Sequence, residues 1–295
     1  MSALRFHYRP ELHEPVLLIA FKGWNDAAES ASGAIRYLRQ QARTERLAEI
    51  DPDGFFVFTE ERPHVRMRDG QTREIRWPLT DFTPARFQTA DRDFILGLGT
   101  EPNLRWKEFS AHVAEVASEM GVVEIVTIGG LLADTPHTRP VPLSGGAHPA
   151  SRMLELGFEQ SSYQGPTGIV GAIGELCRQR DQAHVSLWAS VPHYVSGGQN
   201  PRATQALLGK LSEIYGLGLD LADLDRRARR YEAQVAEALK DNSEMQEYVR
   251  KLEAAAGPAD EPVRPALGEA GGPLRSSDAL EEIDRILRGD EESPA

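Results

Sequence analysis

A chain of 295 residues with 40% hydrophobic side chains is long enough to bury a sizeable core, as one large α/β domain or one with a helical appendage. No window approaches the ~20 consecutive apolar residues of a membrane span, and a formal net charge of -12 leaves no basic surface for a phosphate backbone, so membrane and nucleic acid are set aside as partners. The single cysteine, Cys177, cannot form an internal disulfide, and residues 1–7 lack an apolar signal core; both fit a cytoplasmic protein.

Pro15 opens an apolar run over 16–21, short enough for a buried strand. A turn at 22–26 leads to a helix predicted over 27–39, which makes the opening half of a βαβ unit. Residues 65–68 and 73–77 flank Asp69-Gly70, a strong hairpin signal. Polar residues alternate in both arms, so the hairpin is expected at an edge or projecting outward. Regular alternation then resumes: a strand at 93–98, a helix at about 105–120, a strand at 122–128 and a long polar turn at 129–142. A helix at 167–180, a strand at 184–189, a loop at 191–198 and a helix from Pro201 follow. Strands alternating with helices imply an α/β fold with a mainly parallel sheet and helices on both faces.

From Leu221 the chain reads as wholly helical. Leu221, Leu224, Ala228, Tyr231, Val235 and Ala238, then Met245, Val249 and Leu252, follow a 3-4 spacing that expects another helical surface. That surface is either the protein's own core or another subunit. Ser243 with Gln246 matches a capping box, which predicts two helices turned near Asn242. Residues 257–276 read as a linker, and 278–288 as a short amphipathic helix with Leu280, Ile283, Ile286 and Leu287 on one side. The expected organisation is an α/β core over 1–216, a helical pair over 217–256 and an acidic tail over 257–295.

In open parallel sheets ligands sit beyond the carboxyl ends of the strands. The loops there deliver Trp24, Asn25 and Asp26; Glu101, Asn103, Arg105 and Trp106; Asp134, His137, Thr138 and Arg139; and His193 with Tyr194. Thr167 stands at a glycine-rich helix start whose free amides suit an anion. The candidate ligand pocket is therefore Trp24, Asn25, Asp26, Arg105, Asp134, His137, Arg139, Thr167, His193 and Tyr194. Each residue also has a plainer reading. Asp26 is equally a helix N-cap, Arg139 a surface ion-pair residue, and the two histidines hydrogen-bonded loop residues.

Sharper signatures fail. The segment Gly165-Pro166-Thr167-Gly168 lacks the lysine-serine/threonine ending of a phosphate loop and does not match the dinucleotide pattern. No Gly-x-Ser-x-Gly elbow is present. Asp134 and His137 have no clear third ligand, so no metal is expected, and no cofactor either. Cys177 lies mid-helix among apolar neighbours, which favours packing over reactivity. No residue is assigned a catalytic role.

Four motifs carry a family resemblance: Phe21-Lys22-Gly23-Trp24-Asn25-Asp26-Ala27; Thr127-Ile128-Gly129-Gly130 with Pro136-His137-Thr138-Arg139-Pro140; Gly165-Pro166-Thr167-Gly168-Ile169; and Ser186-Leu187-Trp188-Ala189 with Pro192-His193-Tyr194. They resemble the proteasome assembly chaperone family, its actinobacterial branch above all, in family order from about residue 15 to 210. The resemblance implies a three-layer α/β/α sandwich similar to purine nucleoside phosphorylases, assembled as a homo-oligomer, with trimers among the forms implied. It implies no established reaction. The chain ends Glu-Ser-Pro-Ala and lacks a C-terminal hydrophobic-Tyr-x motif, so direct proteasome docking does not follow from the resemblance. The expected function is a non-enzymatic, self-associating interaction or assembly factor with a possible protein partner. The alternative is a binder of a nucleoside-like or anionic small molecule, or a phosphorylase- or hydrolase-like enzyme, using the strand-end pocket.

Overall fold

A three-residue strand, β1 (Leu4–Phe6), precedes β2 (Val16–Lys22), the apolar run that starts directly after Pro15. The computed structural model describes residues 2–42, 45–68, 72–158, 163–195 and 197–256. A 3-10 turn (Ala27–Glu29) leads into α1 (Ser30–Ala42), and β3 (Ala48–Ile50) follows. Next come β4 (His64–Arg68), β5 (Thr72–Arg76), β6 (Thr80–Ala85), β7 (Phe94–Thr100) and α2 (Trp106–Glu119). Then β8 (Glu124–Ala133), β9 (Leu143–His148), α3 (Ala150–Glu155), α4 (Ile169–Gln179) and β10 (His184–Pro192) complete the sheet. The chain continues through α5 (Pro201–Tyr215), α6 (Ala222–Leu239) and α7 (Ser243–Ala255).

Eight strands form one sheet in the order β1-β3-β6-β7-β2-β8-β10-β9. The block β7-β2-β8-β10 is parallel, while β1, β3 and β6 extend one side and β9 the other by antiparallel pairing. The flanking strands are short and poor in alternating apolar residues, so the hydrophobic pattern does not announce them. Successive residues of β2 point to opposite faces. Val16, Leu18 and Ala20 join the cluster built with α1 and α5, whereas Leu17, Ile19 and Phe21 join the cluster built with α2 and α4. Sheet and helices thus make three layers.

Two expectations are corrected. The turn expected from Gly129 begins only after Ala133, because β8 runs on beside β10 in parallel register, Gly129 opposite Trp188 and Gly130 opposite Ala189. The glycine pair reads as a turn in sequence, yet here it permits close approach. A Cβ at Gly129 would strike the Trp188 ring, and one at Gly130 would strike Ser30 Oγ. The capping residue of α7 is Asn242 rather than Ser243: its side chain accepts from Met245 N at 3.0 Å. Gln246 reaches back instead, donating to the carbonyls of Leu239 (3.1 Å) and Lys240 (2.7 Å).

The hairpin β4-β5 is a separate two-stranded sheet, and every residue of both strands is exposed. Its Asp69-Gly70 turn lies outside the described residues, as does the tail over 257–295 with its helix over 278–288. The 3-4 seam closes on the chain itself. Tyr231, Val235, Leu239, Met245 and Val249 form a cluster with Tyr194 and Val195 at the end of β10, while Leu224 joins the core under α1 and α5. Among the described residues no helix is long and apolar enough to cross a membrane.

His184, at the start of β10, is buried with its Nε2 3.0 Å from Thr127 Oγ1, and that burial depresses its pKa to about 4. The unfolded chain therefore takes up this proton first as pH falls below about 6.5, so stability drains away between pH 6.5 and 4 and not above. A depression of that size is worth about 3 kcal/mol. Urea midpoints measured from pH 7 to 4 should fall, and His184→Asn should flatten that fall; equal pH dependence in the two proteins would remove His184 as its cause.

Candidate functional site

The candidate residues resolve into two hydrogen-bonded groups at the carboxyl ends of the parallel strands, with Arg105 and Thr167 apart from both. The first group gathers around Glu101, just after β7. Its carboxylate accepts from Asn25 Nδ2 (2.7 Å), Ile169 N (2.8 Å) and Trp24 N (3.3 Å). One side chain thereby ties the loop after β2 to the first turn of α4. The amide at that helix start, an expected anion site, is already served by the protein's own carboxylate. Gly168 is required there, since a Cβ would run into Asn25 Nδ2 and Glu101 Oε1.

Asp26 in the same loop is buried, and its Oδ1 accepts from Ala31 N (2.9 Å) and Ser32 N (3.0 Å) of α1. Desolvation raises its pKa above the ordinary carboxylate value, against the opposing pull of these hydrogen bonds. The geometry is that of a capping carboxylate serving the amides that the 3-10 turn leaves free. Trp24 is 64% exposed, while Asn25 is buried with its Oδ1 lacking a partner among the described residues.

The second group lies where β8 and β10 end beneath α7. Tyr194 is buried, and its hydroxyl accepts from His137 N at 2.8 Å. Its own proton is then free to be donated to His137 Nδ1, also 2.8 Å away, which suits a neutral imidazole. Burial lowers the His137 pKa and raises that of Tyr194, so both groups stay uncharged near neutrality. Asp134 Oδ1 lies 3.2 Å from His193 Nδ1 and accepts from Tyr248 OH at 3.3 Å. Burial, seconded by that carboxylate, pushes the Tyr248 phenol up to about 12. The rings of His193, Tyr194 and Tyr248 meet edge to face at 5.7–5.9 Å, and Thr138 Oγ1 donates to Glu253 of α7 at 2.5 Å.

Thr135, His137, Arg139, Ser190, Arg202 and Tyr231 are among the residues lining a cavity of about 20 Å³ beside this group. That is room for about one water, far below the ~300–1,000 Å³ of an ordinary small-molecule pocket. The hydroxyls of Thr135 and Ser190 are buried there without a partner among the described residues. Arg105 goes elsewhere. It begins α2 with a left-handed φ of 56°, its guanidinium pairs with Glu108 at 2.6 and 2.9 Å, and it lies 5.3 Å from the Phe55 ring centre. Thr167 is exposed, before the first turn of α4. Cys177 is buried, and its thiol is pushed up to about 11 by burial, as packing rather than reactivity requires.

Sequence reasoning missed a cleft of about 620 Å³ at the opposite ends of β8 and β10. Glu124 is buried at its edge and takes Arg152 Nε (2.8 Å), Arg152 Nη2 (3.2 Å) and Tyr215 OH (2.5 Å). A lone carboxylate inside the apolar run over 122–126 was the available signal. Its charge is answered within the network, and Arg92 at the same cleft pairs with Asp91 and Glu14. No group of three or more acidic, histidine or cysteine side chains able to hold a metal occurs among the described residues.

The chain matches the PAC2 family over residues 20–239. Among solved structures, a PAC2 family protein from Streptomyces avermitilis is 39% identical, covering 80% of this chain and 99% of its own, with a TM-score of 0.74. A proteasome-assembly chaperone homologue from Mycobacterium tuberculosis is also 39% identical, over 79% of this chain and 99% of its own, with a TM-score of 0.73. An archaeal proteasome activator from Pyrococcus furiosus shares the fold at 18% identity and a TM-score of 0.64, over 85% and 98% of the two chains. No curated protein matches.

Proposed function

We propose, on the premise that the chain belongs to the PAC2 family, that it is a chaperone-like interaction protein that self-associates and holds proteasome subunits, without chemistry at its strand ends. One observation carries this reading. The strand-end polar residues are engaged with one another, the cavity beside His137 and Arg139 is only about 20 Å³, and the bonds of both groups brace loops and helices instead of converging on a vacant reaction centre. The same proposal includes a core over 1–216 similar in architecture to purine nucleoside phosphorylases, a helical pair over 217–256, an acidic tail over 257–295, a homo-oligomer such as a trimer and a cytoplasmic place. Fold alone transmits no phosphorylase reaction.

The test combines two measurements on the full chain. Nucleosides, phosphate, sugars and divalent metals should leave its melting temperature unchanged, and immobilised chain should retain purified proteasome subunits. A ligand binding only the folded form would add about 2.7 kcal/mol at a hundred times its dissociation constant. A saturable shift of that kind, lost in Arg139→Ala, would replace the interaction reading with a ligand-binding one. Failure to retain the subunits would remove them as partner.

A further inference from the structure

The hairpin β4-β5 combines exposed apolar side chains with a concentration of arginines. Val65, Met67, Ile75 and Trp77 are 59%, 54%, 54% and 48% exposed. Val65 stands opposite Ile75 in the ladder, and Met67 shares their face because residues two apart on a strand do. Trp77 sits at the base, its ring edge-on to Phe58 at 4.9 Å between centres. Residues 62–77 also carry five arginines (Arg62, Arg66, Arg68, Arg73 and Arg76) against two acidic side chains, Asp69 and Glu74. The segment is therefore +3 within a chain of -12, which leaves -15 for everything else. A lone two-stranded hairpin with an uncovered apolar face is marginal in water, and its outer edges are open to pairing.

We infer that this arm is the docking element through which one copy of the chain binds a second copy, its apolar face seated on the partner and its arginines against the partner's acidic body. The inference rests on the self-association included in the proposed function and names its surface. Charge decides for a second copy. Two bodies as acidic as this repel one another, and in the arm opposite charge and an uncovered apolar face coincide, so contact through it turns repulsion into complementarity. Identical arms reaching identical bodies also satisfy the closed symmetry of homo-oligomers.

Sedimentation velocity of the full chain from about 1 to 100 μM tests the assignment, with Val65→Thr/Ile75→Thr as the apolar variant, a cross-strand pair that keeps strand propensity, and Arg66→Gln/Arg76→Gln as the charge variant. All four positions are exposed, so far-ultraviolet circular dichroism should not change. The wild-type chain should sediment as an oligomer that weakens with salt; the apolar variant should be monomeric throughout, and the charge variant should need at least tenfold more protein to assemble. A wild-type chain that is monomeric at every concentration overturns both the self-association and the arm. An oligomer that neither variant disturbs overturns the arm alone. An apolar variant that assembles normally but no longer retains proteasome subunits assigns the arm to that partner and overturns the second copy.

Discussion

Glu101→Ala should destabilise the protein by about 3–5 kcal/mol, since it strips the acceptor from three donors at once. The Ile169 amide and the Asn25 side chain would be left in a confined, partly dry place with nothing to bond, and the Trp24 amide would lose its longer contact. For a chain of this size the melting temperature should fall by roughly 10 °C. Glu101→Gln keeps one carbonyl acceptor of the same shape and should lose about half as much. The pair of variants separates the carboxylate from the bulk of the side chain. Differential scanning calorimetry reads both, and a Glu101→Ala protein melting within about 1 °C of wild type would show that the three contacts contribute nothing net.

Tyr194→Ala should cost about 3–5 kcal/mol, the usual range for emptying a large aromatic site. The ring is fully packed among His137, His193 and Tyr248, and its hydroxyl serves two atoms of His137. The damage should be local before it is global. Tyr248 and the cluster of Tyr231, Val235, Leu239, Met245 and Val249 hold α6 and α7 to the sheet through Tyr194 and Val195, and such an element opens with less than the full unfolding energy. Trypsin should therefore cut the variant first at Lys240, Arg250 or Lys251, leaving the sheet intact. Tyr194→Phe keeps the ring and orphans the His137 amide, so it should lose about 1–3 kcal/mol without the new cleavage. Cleavage of Tyr194→Ala spread evenly over the whole chain would show that Tyr194 does not hold the two helices.

The parallel block, the helices on both its faces, the exposed hairpin and the family were all legible in the residues alone. Four apolar runs of strand length alternate with helical periods, and burial on both sides of a parallel sheet leaves that pattern no other home. The short antiparallel strands were invisible because a run such as Leu143–His148, with two glycines and one serine, draws its stability from the neighbour it pairs with rather than from its own hydrophobicity. The glycines at 129 and 130 misled for a related reason: whether a missing Cβ serves a turn or a close contact depends on what lies opposite, and Trp188 and Ser30 are distant in sequence.

For the candidate site, residue types and their strand-end location were legible, since a parallel sheet delivers its loops to one edge. How those side chains are spent depends on contacts made only in the folded chain. Glu101, read as one polar loop residue among several, proves to be the acceptor joining two loops. His137, His193 and Tyr194 turn inward to brace α7, and Arg105 pairs with Glu108 over the Phe55 ring. A polar side chain offers the same donors and acceptors to a ligand or to its own chain, and only the placement of partners dozens of residues away decides which of the two it meets.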